Sequence, residues 1–194
     1  MKNCKLTILS LIILSLSIVI LLLFKHLAKN NNEETFMGKY KELVVNKVTE
    51  LEKEYLGYLI KNQLVYFGDD SLNAFEIKKI ISNDPIFFYF SYNTCPPCLN
   101  FTIDLLKKFI PSYNEDDSII FISPDYPKRF RNDCFGKQLL ILQLNELGLP
   151  LERENVPFFF KINTDMQIVS LNIVIKEDFE RTEKYLRYLF RMNF

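Results

Sequence analysis

The chain has no tryptophan, one histidine, four cysteines and no net charge, with 24 basic residues against 24 acidic ones. Each scarcity excludes something. Without a basic block, nucleic acid is not an expected partner. Four cysteines are too few for a disulfide-rich scaffold. One histidine (His26) and a single C-x-x-C fall short of the about four ligands that structural zinc needs, so no metal and no cofactor is expected. Internal repeats and low-complexity segments are missing as well. What remains is room, in 194 residues, for one domain with a sizeable core plus appendages.

The chemistry concentrates in Cys95-Pro96-Pro97-Cys98. An apolar run, Ile86 to Phe90, precedes it, and a helix-like run, Leu99 to Ile110, follows. A strand that feeds two cysteines at a helix start makes a redox centre. Cys95 would sit where unpaired N–H groups and the helix dipole stabilise a thiolate. Cys98, one turn later, would attack the mixed disulfide and release the partner. Proline suits a first helical turn, because the N–H it lacks would be unsatisfied there. A permanent structural bridge is the plainer alternative, but so short a loop is a poor staple.

With Val156-Pro157 about sixty residues downstream, these features resemble the thioredoxin superfamily. The look is that of its membrane-anchored TlpA-like and ResA-like thiol-disulfide oxidoreductases. The resemblance spans roughly Leu64 to Phe194. It implies an α/β thioredoxin-like fold of three layers, a central mixed sheet flanked by helices. It also implies catalytic Cys95 and Cys98 forming a redox-active disulfide. Val156, a cis Pro157, Pro96 and Pro97 would form the substrate groove, with Val156 offering backbone groups to the partner. Two departures stand out. Thr94 replaces the frequent tryptophan before the first cysteine. Six residues before Cys95, where many relatives hold a buried acid, stands Tyr89. Proton transfer would then fall to water, or to Glu152 or Glu154.

Leu6 to Phe24 carries no charge. As a helix rising about 1.5 Å per residue it reaches ~28 Å, the thickness of a bilayer's hydrocarbon core. Lys25-His26-Leu27-Ala28-Lys29 is a poor cleavage site, so an uncleaved N-terminal transmembrane helix is expected. Cys4 precedes the apolar run and cannot be a lipoprotein cysteine. The flanking lysines do not decide orientation. By analogy with exported redox domains, the domain is placed on the non-cytoplasmic, periplasmic side. The expected division is an anchor at 1–29, a polar linker and amphipathic helix at 30–62, and the redox domain at 63–194.

In that helix, Tyr40 to Asn62, residues Val44, Val48, Leu51, Tyr55 and Tyr58 share a face. It lies on the domain, forms a stalk, or pairs two copies as a homodimer. Further expected elements are strands at Leu64 to Phe67, Ile119 to Ser123, Phe158 to Ile162 and Ile168 to Ile175. The last would turn Val169, Leu171, Ile173 and Ile175 to one face. Helices are expected at Ser71 to Ile81, Lys137 to Leu147 and Glu177 to Met192, and a charged, aromatic loop at Asp125 to Phe135. Cys134 in that loop reads as a buried inert thiol, a free surface thiol or a third redox cysteine.

The resulting reading is a membrane-tethered oxidoreductase that keeps exported protein thiols reduced. Its partners would be exported proteins with thiols or disulfides and a membrane electron donor. A tethered client-binding module without turnover is the alternative. Peroxidase chemistry is disfavoured by the tight C-x-x-C.

Overall fold

The computed structural model describes residues 37–110 and 112–191, together with positions 19, 20 and 22. The predicted span 6–24 otherwise falls outside these residues. So do Cys4, the linker 30–35, Pro111 and Met192. Among the described residues no helix is long and apolar enough to cross a membrane. The chain divides into two compact units, 1–44 and 45–194. In the first, residues 37–44 are helical.

The second unit is built on a seven-stranded mixed sheet. Its strands are β1 (Leu64–Phe67), β2 (Phe75–Glu76), β3 (Ile86–Tyr89), β4 (Ile119–Ile122), β5 (Leu139–Leu142), β6 (Phe158–Ile162) and β7 (Ile168–Ile173). Their spatial order is β2-β1-β5-β4-β3-β6-β7. The β5-β4-β3 centre is parallel, and both flanks are antiparallel. The unit's first helix, α1, covers residues 45–54. A single turn, α2 (Lys78–Ile81), precedes β3; α3 (Pro96–Phe109) links β3 to β4, and α4 (Phe179–Arg191) closes the chain. A mixed α/β sheet with flanking helices is the thioredoxin-like arrangement expected from the sequence.

Residues buried on both faces explain the sheet's centre. Every residue of β3, β4 and β5 is buried, as a parallel strand covered on both sides requires. Alternation then sorts β3. Phe88 and Phe90 join the core with Cys98, Leu106, Phe121 and Phe159. Phe87 and Tyr89 point to the other face, stacked on Phe160 and Phe158 at 5.1 and 4.7 Å. Fully burying one such aromatic side chain contributes about 1.5–3 kcal/mol.

Several expectations are corrected. Lys137 to Leu147 is not a helix: Leu139-Leu140-Ile141-Leu142 is strand β5, between β1 and β4. Four consecutive apolar residues fit a buried strand as well as a helix face, and the slot between two strands decides. Ser71 to Ile81 is broken into a 3-10 turn, β2 and α2, because Phe75 and Glu76 pair with Val65 and Leu64. Helix α1 stops at 54, short of Asn62. Gly57 takes φ +83° there, a conformation glycine adopts at no steric cost. The next residues run along β7, with Gly57 N–H bonding the Ile168 carbonyl at 2.8 Å. Val169 is exposed and Ile168 buried, since pairing slips between Lys161 and Ile162. Within the second unit, the Val48 and Leu51 face of α1 is half-buried, as is Tyr55 just past its end, whereas Tyr58 is exposed. Glu52 fixes this stretch by accepting from Arg181 at 2.5 Å and from the Ile173 N–H at 2.6 Å.

Candidate active site

Cys95 lies just beyond the carboxyl end of β3 and is the N-cap of α3, with prolines in the first turn. Its position agrees with the sequence reading. The two sulfurs are set apart by exposure. Cys95 is half-buried, whereas Cys98 is 5% exposed. Both are free thiols. Burial, and then a hydrogen bond to Cys95, push the Cys98 thiol up to about 12; the charge of Glu177 adds to this and that of Lys176 opposes it. Pro96 and Pro97 are exposed beside them. The helix behind is held by Thr102 Oγ1 donating to the Cys98 carbonyl at 2.8 Å and by Phe101 stacked on Phe179 at 3.9 Å.

The turn that delivers Cys95 is a bonded unit that sequence reasoning missed. Ser91 N–H donates to Thr94 Oγ1 at 2.9 Å, and Thr94 N–H donates to the Ser91 carbonyl at 3.1 Å. Thr94, where relatives often have tryptophan, therefore closes the turn. Asn93 N–H donates to Ser91 Oγ at 3.1 Å, and Tyr92 N–H to Asp125 Oδ1 at 2.9 Å. Ser91 Oγ in turn donates to Asn155 Oδ1 at 3.0 Å. The clue in the sequence was Ser-Tyr-Asn-Thr, a cluster of turn-forming residues whose Ser91 and Thr94 side chains bond nearby backbone.

That last bond brings the Val156-Pro157 segment to the motif. The pairing of Tyr89 with Phe158 points the same way. Pro157 is buried and Val156 half-buried. The expected cis bond is not found: among the described residues no peptide is cis, and Val156–Pro157 is trans. The trans form is the ordinary preference of X–Pro bonds. The Pro157 carbonyl accepts from the Val174 N–H at 2.8 Å. Val156 also lines an apolar groove of about 320 Å³ with Val48, Leu51, Leu151, Ile173 and Ile175.

The substitutes for the missing acid do not meet the sulfurs. Tyr89 faces away from Cys98, across the sheet. Burial, and then the charge of Glu152, drive its pKa upward. Glu152 accepts from the N–H groups of Leu147 and Leu149 at 2.9 and 2.7 Å. Burial raises its carboxyl pKa in spite of those bonds. Glu154 is exposed, on the groove beside Val156. Cys134 is 3% exposed. Burial pushes it up to about 12, against the opposing hydrogen bond of Tyr126. These are the surroundings of an inert thiol. Among the described residues no cluster of three or more His, Cys, Asp or Glu could hold a metal ion.

No protein-family description matches the sequence, and no curated protein does. Solved structures do resemble the fold. An Aquifex aeolicus protein described as an electron transfer protein is 16% identical, with a TM-score of 0.43, covering 68% of this chain and 92% of its own. The exposed lipoprotein thioredoxin of Streptococcus pneumoniae is 12% identical, with a TM-score of 0.41, covering 64% of this chain and 99% of its own. The reduced 2-Cys peroxiredoxin of Plasmodium vivax is 12% identical, with a TM-score of 0.42, covering 72% and 98%. At such values these likenesses carry no inference about activity.

Proposed function

We propose that the chain is a thiol-disulfide oxidoreductase, tethered to a membrane by residues 6–24, that reduces disulfides of exported proteins. The observation that carries this reading is the asymmetry of the pair. A half-buried cysteine caps a helix N-terminus and is backed by a buried one in the helix's first turn. The tether, the periplasmic side and the reducing direction rest on the apolar N-terminal run and on the resemblance of the motif.

The steps follow from that geometry. The Cys95 thiolate attacks one sulfur of a client disulfide, and the other client sulfur leaves as a thiolate. A mixed disulfide now joins Cys95 to the client. Cys98 gives up its proton and attacks Cys95 Sγ, and the client's second sulfur departs. The client gains two electrons, and Cys95 and Cys98 end as a disulfide. A membrane-bound dithiol donor would recharge the pair by the reverse exchange. Pro96 and Pro97 form the rim of the site, and the open backbone of Val156 receives the client chain.

The second reading, a client-binding module without turnover, gains from the trans bond at Pro157 and from Tyr89 standing where many relatives hold a buried acid. Insulin reduction by the full chain, with dithiothreitol as donor, separates the two. The proposal expects turnover that Cys95→Ser lowers by about a thousandfold or more, as loss of a nucleophile does. Turnover equal to that of Cys95→Ser would contradict it.

A further inference from the structure

We propose that Asn155 is a positioning residue: its hydrogen bond to Ser91 fixes the spacing between Cys95 and the backbone of Val156, and so favours disulfides carried on a polypeptide over small ones. The inference rests on the oxidoreductase reading.

Ser91 is 4% exposed, so its hydroxyl needs partners. It accepts from Asn93 N–H and donates to Asn155 Oδ1. Ser91 begins the turn that ends on Cys95, and Asn155 immediately precedes Val156. One bond thus joins the backbone that presents the nucleophile to the backbone that meets the client. Asn155 can make it because its main chain is left-handed, at φ 52° and ψ 29°. Asparagine and aspartate visit that region more readily than most residues.

The ladder is opened at the same place. Phe90 N–H bonds the Ile122 carbonyl of β4 at 3.1 Å. By alternation the Ser91 N–H then faces β6, where it would meet Val156. It is turned instead onto Thr94 Oγ1. Among the described residues, Val156 takes no part in the backbone hydrogen bonds outside the strands. An extended client segment can therefore pair with it by strand addition. A polypeptide disulfide must satisfy Cys95 and Val156 together, so it senses their spacing. A small disulfide touches Cys95 alone.

The test uses the full chain with insulin and hydroxyethyl disulfide as probes. Asn155→Gly keeps the left-handed backbone and removes the acceptor; Asn155→Asp keeps both. Asn155→Gly is expected to slow insulin reduction about fivefold, the scale of one hydrogen bond. Hydroxyethyl disulfide reduction stays within about twofold, since that probe needs no second contact. Asn155→Asp restores the insulin rate, and adding Ser91→Ala to Asn155→Gly causes no further loss. The inference is overturned if Asn155→Gly keeps the insulin rate, slows both probes alike, or loses no more than Asn155→Asp. Failure of the wild-type chain to reduce either probe overturns the underlying reading instead, and this inference with it.

Discussion

Cys98 and Cys134 are alike in nearly every respect but one. Both are buried, at 5% and 3% exposure, and burial pushes each up to about 12. Cys98, in the first turn of α3, lies behind half-buried Cys95, which raises its pKa further. Cys134 has the Tyr126 hydroxyl as a neighbour that lowers its pKa against burial, and it shares a core cluster with Phe90, Tyr126 and Phe135. Burial alone makes a thiol inert. A buried thiol becomes a resolving group when a reactive sulfur is placed beside it, because its proton then leaves only after the mixed disulfide forms. The difference lies in the neighbour.

The largest expected effect breaks the Cys98 side of this comparison. Cys98→Ala removes the proposed resolving thiol and leaves the proposed nucleophile, Cys95, in place. Insulin turnover should fall about a hundredfold or more, and an insulin–Cys95 mixed disulfide should accumulate on non-reducing gels. Cys134→Ala should form no such adduct and turn over as wild type, because Cys134 has no sulfur beside it.

A smaller effect sharpens the Cys134 side. Its native pKa lies above the ordinary value of about 8.5. The native state therefore holds this proton longer than the unfolded state does. The stabilisation is complete below pH ~8.5 and is lost as pH rises toward the native value. Urea midpoints measured from pH 7 to pH 10 should fall less steeply for Cys134→Ala than for wild type. At pH 7 the variant itself should cost about 1–2 kcal/mol through the small cavity it leaves.

The smallest effect tests whether the far face of the sheet matters to the sulfurs. Tyr89→Phe removes a buried hydroxyl that feels the Glu152 charge and should change stability by no more than about 1 kcal/mol. The midpoint potential of the Cys95–Cys98 pair should move by less than about 10 mV, well under the 30 mV that a tenfold change represents. A larger shift would place Tyr89 or Glu152 in the exchange chemistry after all.

Much of this site was legible in the sequence because its signals are local. Ile86 to Phe90, then Cys-Pro-Pro-Cys, then the Leu99 to Ile110 periodicity announce strand, site and helix in turn. Strand β5 was not legible, because Leu139 to Leu142 suits a helix or a strand and only the slot between β1 and β4 chooses. Strand β2 was hidden for a related reason: Phe75 and Glu76 take their conformation from β1. The Ser91–Asn155 bond joins residues that lie far apart in the chain, and neither carries a motif. The trans Pro157 corrects an expectation borrowed from a resemblance rather than read from residues.

Cys95 and Cys98 are proposed to form a redox couple from which Cys134 is excluded. Equilibrating the full chain across graded dithiothreitol buffers and mapping free thiols at each point tests this. One reversible two-electron transition is expected at Cys95 and Cys98, with Cys134 reduced throughout. A potential near thioredoxin's ~−270 mV would match the reducing direction, and one near ~−120 mV would reverse it. No transition at this pair, or a bridge that stays closed in excess reductant, would contradict the account.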